Sequence, residues 1–222
     1  TIQLGYTDYY EDLAEFTPYD ALMDIDAMDR GDELIRHHDE FDLLPSHAKN
    51  FNLEKALWNQ SRTHERIGML LDRLETDYDY ILLDAPPNLG PLADGALLAA
   101  DQLVLVALPD LIATFSIKLL QEEVETLEKN FGTEIPFGAA VVNKVSATSN
   151  KIESDRLDWF EDYVGEGNVH TVPETVAVEG AFSQNGTVFD YEPENRHRAS
   201  KAEEVRSVFG GIADHLGGGV DG

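Results

Sequence analysis

Three near-continuous apolar runs constrain this chain more than any other feature. The first is Tyr80-Ile81-Leu82-Leu83-Asp84. The second is Leu103-Val104-Leu105-Val106-Ala107, within Gln102 to Leu108. The third is Ala139-Ala140-Val141-Val142, within Phe137 to Val145. A strand with one wet face alternates apolar and polar residues. Continuous runs suit strands covered on both faces, as in a parallel sheet. Between and after the runs the period becomes helical. Phe115, Leu119, Val124, Leu127 and Phe131 read as one amphipathic stripe, and Ile152, Leu157 and Phe160 as another. Ala202, Val205, Phe209, Ile212 and Leu216 form a third, stopped by Gly217-Gly218-Gly219. Strands alternating with helices predict an α/β fold with a doubly wound, mostly parallel sheet.

Ahead of the first run the signal is weaker. Residues 8–36 are polar and acidic with scattered apolar positions (Leu13, Phe16, Leu22, Ile25, Met28), which reads as short surface helices. Phe41-Asp42-Leu43-Leu44-Pro45 reads as a short strand ended by its proline. Helical patterns follow at about 52–59 and 63–75, the second with Ile67, Leu70, Leu71 and Leu74 on one face. No internal repeat or long linker is visible. The expectation is a single domain over 1–216 and a disordered glycine-rich tail over 217–222.

Charge narrows the function. Asp and Glu number 43 against 16 Lys and Arg, a formal net charge of −27, and the excess runs from end to end. A dispersed surplus on a globular pattern suits a salt-adapted surface and a halophilic, haloarchaeal source, because repulsion on this scale needs screening. It also argues against the whole surface gripping nucleic acid. With no cysteine, thiolate metal sites and cysteine nucleophiles are excluded. No apolar run approaches the roughly 20 residues of a membrane span, so the expected setting is cytoplasmic, away from the membrane.

In an open parallel sheet ligands sit at the carboxyl ends of the strands. Asp84-Ala85-Pro86-Pro87-Asn88-Leu89-Gly90 leaves such an end. An acid ending a buried strand needs compensation. A hydrated Mg²⁺ beside a phosphate supplies it; so does a role as cap of the next helix, and the local residues leave both open. The proline pair fixes the loop, and Gly90 allows close backbone approach.

Residues 78–90, followed by Ala96-Leu97-Leu98-Ala99-Ala100-Asp101-Gln102-Leu103-Val104-Leu105-Val106, resemble the central signature of the ParA/Soj partition ATPases, P-loop NTPases with a deviant Walker motif. Leu43-Leu44-Pro45-Ser46 is similar to that family's strand-Pro-Ser segment. Val172-Pro173, Ala181-Phe182 and Thr187-Val188-Phe189-Asp190-Tyr191-Glu192-Pro193 are similar to its C-terminal pattern. The resemblance implies a Walker B role for Asp84, holding Mg²⁺ through water. It implies a γ-phosphate-sensing switch II at Pro86, Pro87 and Gly90. It further implies adenine contacts from Asn143, with Lys144 beside it, and from Pro173. Asp110 would face the nucleotide or the partner subunit, or cap the next helix. ATP with Mg²⁺ would drive a homodimer that holds non-specific DNA and answers to a ParB-like partner in plasmid or chromosome segregation.

The sequence departs from that family at the front. No glycine-rich phosphate loop with its lysines occurs in these 222 residues. Thr1-Ile2-Gln3-Leu4-Gly5 resembles the segment just after the family's second strand. The expectation is therefore an N-terminally truncated chain whose first strand, phosphate loop and first helix lie upstream, on the order of 40 residues away. Such a chain alone would not hydrolyse ATP. Gly95 stands where many members have asparagine. Glu174 and Ala177 stand where several have arginines implicated in DNA binding, leaving Arg196, Arg198, Lys201 and Arg206 as basic candidates; these read equally as a solvated face. His197 reads as solvent-exposed. A MinD-like positioning ATPase is the alternative within the class. It predicts a basic amphipathic C-terminal helix, against which Glu203, Glu204 and Asp214 count. A non-catalytic regulatory remnant acting through protein contacts is the alternative outside the class. Raising KCl from about 0.1 M to about 2 M should move the urea unfolding midpoint upward; an unchanged midpoint would remove the case for a salt-adapted surface.

Overall fold

The computed structural model describes residues 6–11, 15–86, 88–146, 148 and 151–217. Two compact units divide them. One comprises Thr1–Asp101 with Thr126–Thr133, the other Gln102–Glu125 with Glu134–Gly222.

The first unit is built of short helices around one apolar cluster. In chain order it holds α1 (Thr7–Glu11), α2 (Pro18–Met23), a 3-10 segment Asp26–Leu34, β1 (Arg36–His37), β2 (Asp42–Leu43), a 3-10 turn Ala48–Asn52, α3 (Leu53–Leu57), a 3-10 turn Thr63–Glu65, α4 (Arg66–Leu71) and α5 (Pro91–Ala99). The start of α2 is fixed locally. Pro18 occupies the first helical position, and the Asp20 carboxylate accepts from the Thr17 backbone N–H at 2.9 Å and its hydroxyl at 2.6 Å. Ala21, Met28, Leu34, Leu53, Leu57 and Leu70 make the core. The helices over 16–34 thus supply Ala21, Leu22, Met28 and Leu34 to the core, where surface helices were expected; Leu13 lies outside the described residues. The cause is the 3-10 geometry of Asp26–Leu34. Its buried residues Met28, Gly31 and Leu34 recur every three residues, the 3-10 period, and a search at 3.6 misses them.

The second unit has the expected α/β form. β3 (Leu103–Ala107), β4 (Phe137–Val145) and β5 (Val169–Pro173) form a parallel sheet in that order, with β3 and β5 at the edges. The sheet is covered on both faces. On one, Leu105, Ala140 and Val142 meet Ile117 of α6 (Leu111–Phe131) and Phe160 and Val164 of α7 (Lys151–Val164). On the other, Val104, Val141 and Val172 meet Val208, Ile212 and Leu216 of α9 (Arg196–Gly217). A short α8 (Ala177–Ser183) packs on α9 through Ala177, Ala181, Ala202 and Val205. α9 runs on through Gly217; the rest of the glycine tail lies outside the described residues.

Two expectations fail here. Residues 80–84 join no sheet among the described residues. They run irregularly, with Leu82 88% exposed. An apolar run supplies the side chains of a buried strand, but burial also needs a ladder neighbour and covering helices. The α6 stripe also splits in two: Ile117, Val124 and Leu127 are buried, whereas Phe115 and Leu119 are exposed.

On β5, His170 meets His215 of α9 edge-on, ring centroids 5.3 Å apart, and His215 Nε2 lies 3.0 Å from the Gly138 carbonyl. Burial first, then the charge of His215, pushes the His170 pKa below the ordinary imidazole value. A base with a depressed folded pKa binds fewer protons folded than unfolded. Its stabilisation is complete above the unfolded value of about 6.5 and fades as pH falls toward the folded one. The urea midpoint should thus drop between about pH 7.5 and about pH 5.5, and His170→Asn should flatten that drop. Asp42, its pKa lowered by hydrogen bonds from His37 and then Tyr78, acts only at more acid pH. An equal drop in His170→Asn would exclude His170 as the source.

Candidate functional site

The segment leaving Asp84 is anchored by a residue far away in sequence. Asp84 itself is exposed and Pro86 half-buried; Pro87 lies outside the described residues. The Asn88 side-chain amide lies 2.7 Å from each Glu54 carboxylate oxygen, bringing the loop onto α3. Gly90 follows at φ 155° as the N-cap of α5, a backbone few other residues adopt. A Cβ there would collide with the Glu54 carboxylate. The Gly90 carbonyl accepts the Asp94 N–H at 2.8 Å, and Pro91 opens the helix. Glycine is favoured here by conformation, and a larger residue would also have to displace the Glu54 carboxylate from Asn88.

α5 is then seated closely on the elements before it. A Cβ on Gly95 would lie 3.3–3.4 Å from Ile67 and the His64 carbonyl, so the asparagine that many family members carry would not fit without movement. Asp94 is buried, with Oδ2 3.3 Å from His64 Nδ1. The sequence reading missed Glu54, His64 and Asp94. Glu54 precedes Asn88 by 34 residues, and nothing local marks the pair; a carboxylate in a nine-residue apolar helix was the one signal for Asp94.

In the second unit the expected nucleotide residues lie at the carboxyl ends of the strands. Asn143 and Lys144 stand near the end of β4, and Pro173 ends β5 opposite Val145. The Glu174 N–H then donates to the Val145 carbonyl at 3.1 Å. Asn143 Oδ1 accepts the Lys144 N–H at 2.8 Å, and Lys144 takes a left-handed φ of 57° where the pairing with β5 shifts register between Val142 and Val145. Asp110, after β3, accepts the Ala113 N–H at 2.8 Å. It acts as a helix cap, one of the two roles left open for it.

The basic candidates on α9 have protein neighbours. Arg198 pairs with Glu194 at 3.2 Å and Lys201 with Glu204 at 2.7 Å, while Arg196 and His197 are exposed. Arg206 donates to the carbonyls of Val188 at 2.9 Å, Phe189 at 3.1 Å and Tyr191 at 3.0 Å. Its guanidinium holds that turn against α9 and is not available as a phosphate contact.

The donor set fits one part of a nucleotide complex. An exposed carboxylate at Asp84 suits a magnesium ion held through water. The backbone-plus-lysine cradle that the β- and γ-phosphates need is not in this sequence, and no phosphoryl-transfer step can be derived from these residues.

Comparison with known proteins bears on the same segment. A family described as an AAA domain matches residues 7–137. The chain belongs to that family. Curated relatives of the chain include proteins named for Soj and for the ParA family. The cell division protein PomZ of Myxococcus xanthus is 28% identical over 79% of this chain and 54% of its own. The sporulation initiation inhibitor Soj of Bacillus subtilis is 24% identical over 71% of this chain and 62% of its own. The chain thus spans between half and two thirds of these relatives. In fold it is similar to the ATP complex of McdA from Cyanothece, with a TM-score of 0.77 at 17% identity over 98% of this chain and 80% of that one. Among the described residues no helix is long and apolar enough to cross a membrane.

Gly90→Ala should destabilise the first unit by about 1–3 kcal/mol, from the strained φ and the collision with Glu54. Adding Glu54→Ala should recover part of that loss in a urea double-mutant cycle. Strict additivity would show that the two residues do not meet.

Proposed function

We propose that this chain is the switch and base-binding body of a ParA-type partition ATPase. The observation that carries the reading is the passage from Asp84 through Asn88 and Gly90 into α5, with a backbone at Gly90 suited to glycine. In this reading Asp84 holds magnesium through water. Pro86, Pro87 and Gly90 form the loop that responds to the γ-phosphate. Asn143, Lys144 and Pro173 receive the base at the ends of β4 and β5, and Asp110 shapes the neighbouring turn. The relatives' names, in cell division and sporulation control, support a role in positioning or partition.

The rest of the proposal rests on the same reading. ATP joins two copies, the dimer holds non-specific DNA, and a ParB-like partner triggers hydrolysis. Arg196, Arg198 and Lys201 are the DNA candidates, and their carboxylate neighbours would have to yield to phosphate for that contact. A single domain over 1–216 acting in the cytoplasm belongs to the same proposal. The alternative outside the class is a chain that acts only through protein contacts.

The test is titration of labelled ATP with Mg²⁺ in molar KCl against this chain and against the chain extended at its N-terminus by a ParA-type phosphate-loop segment. Binding by the extended form alone, abolished by Asp84→Ala, is the expected result. Binding by neither form would leave the protein-contact reading standing.

A further inference from the structure

The first unit carries a cleft that the nucleotide reading does not use. A cavity of about 340 Å³ is lined by residues including Trp58, Gln60, Arg62, His64, Glu65 and Phe131. A second, of about 280 Å³, shares Arg62, His64, Glu65 and Phe131 with it. The first falls in the size range of small-molecule sites.

Its lining is built from unusual parts. Trp58 and Phe131 are large aromatic side chains with much of their surface in water, 64% and 44% exposed. Arg62 is a non-glycine residue at a left-handed φ of 55°. Strain of this kind collects where a side chain must be held in place. Its Nε and Nη2 donate to the Glu65 carboxylate at 3.0 and 2.8 Å, which directs those two edges away from a ligand and leaves Nη1. His64 Nδ1 faces the buried Asp94 carboxylate at 3.3 Å. In the tautomer with Nδ1 protonated, Nε2 is an acceptor. Gln60 adds an amide.

The cleft therefore offers aromatic faces, a guanidinium donor, an imidazole acceptor and an amide. The Arg62 charge is already met by Glu65, so the guanidinium is not an open anion site. Among the described residues no cluster of three or more acidic, histidine or cysteine side chains is placed to hold a metal. The ligand class left by these constraints is a flat, uncharged molecule with a donor and an acceptor on its edge. The geometry points to a binding site for a neutral planar heteroaromatic ring of the nucleobase type, stacked against Trp58 and Phe131 and read at its edge by Arg62, His64 and Gln60. None of these residues belongs to the segment 84–90 or to the strand ends, so the inference does not depend on the proposed function.

Trp58 is one of two tryptophans, so its emission can be read alone in a Trp159→Phe background. Adenine is the probe, with benzoate as a planar anion for comparison. Saturable quenching by adenine and weaker quenching by benzoate are expected. Arg62→Gly and His64→Gln should each weaken the adenine effect about tenfold, the scale of one lost hydrogen bond. Glycine suits the left-handed backbone at position 62, so Arg62→Gly keeps the fold while removing the guanidinium. Asp84→Ala should leave the adenine effect unchanged. Quenching that never saturates overturns the proposal. So does saturation that survives both cleft substitutions or vanishes with Asp84→Ala, since the ring would then bind elsewhere.

Discussion

Repulsion among carboxylates is the force against which this structure is assembled. With a surplus of 27 negative charges, every surface starts at a disadvantage that packing and local pairing must offset. The scarce cations are used close to home. Arg30 with Glu33, Arg62 with Glu65, Lys201 with Glu204 and Arg206 with Glu203 all join residues three apart on a helical turn. Such exposed pairs contribute little each, but they neutralise acids where acids are dense. The same economy explains α9. A basic stretch that reads from sequence either as a phosphate contact or as a solvated face has Arg198, Lys201 and Arg206 engaged with acidic neighbours and with the carbonyls of the 188–191 turn.

The second unit was the more legible part. Leu103–Ala107 and Phe137–Val145 are strands as their continuous apolar runs require, and Val142 and Phe160 meet in the core beneath them. Tyr80–Asp84 has the same composition without the same fate, because composition describes a strand's side chains and not its neighbours. Asp26–Leu34 is helical as expected, but its buried residues repeat at three, so the apolar positions do not read as the stripe of an α-helix that would mark a buried face. In α6 the misreading was one of phase. Phe115 and Leu119 lie off the face that buries Ile117, Val124 and Leu127, so a list of apolar residues merged two faces into one.

The candidate site divides in the same way. Asp84 and Gly90 are marked by their own residue types, an acid after an apolar run and a glycine after a proline pair, whereas Asn143 and Pro173 are named only through the resemblance to ParA-type sequences. The residues that position the loop could not be named in either way. Glu54 reaches it through Asn88, and His64 approaches Asp94, across stretches of chain with no shared pattern. Contacts made by folding leave no local mark unless the residues are unusual in their own element, as a buried acid in α5 is.

β3 forms an edge of its sheet, and a sheet edge is a row of donors and acceptors that another strand can extend. Among the described residues that edge is unpaired, and two copies approaching through it bring their negative surpluses together. Salt therefore acts in two opposed senses. Screening relieves the repulsion inside each molecule and favours the folded state, and it equally lowers the barrier that keeps one sheet from continuing into the next. The solution in which this fold is firmest is also the one in which its self-recognition is least restrained.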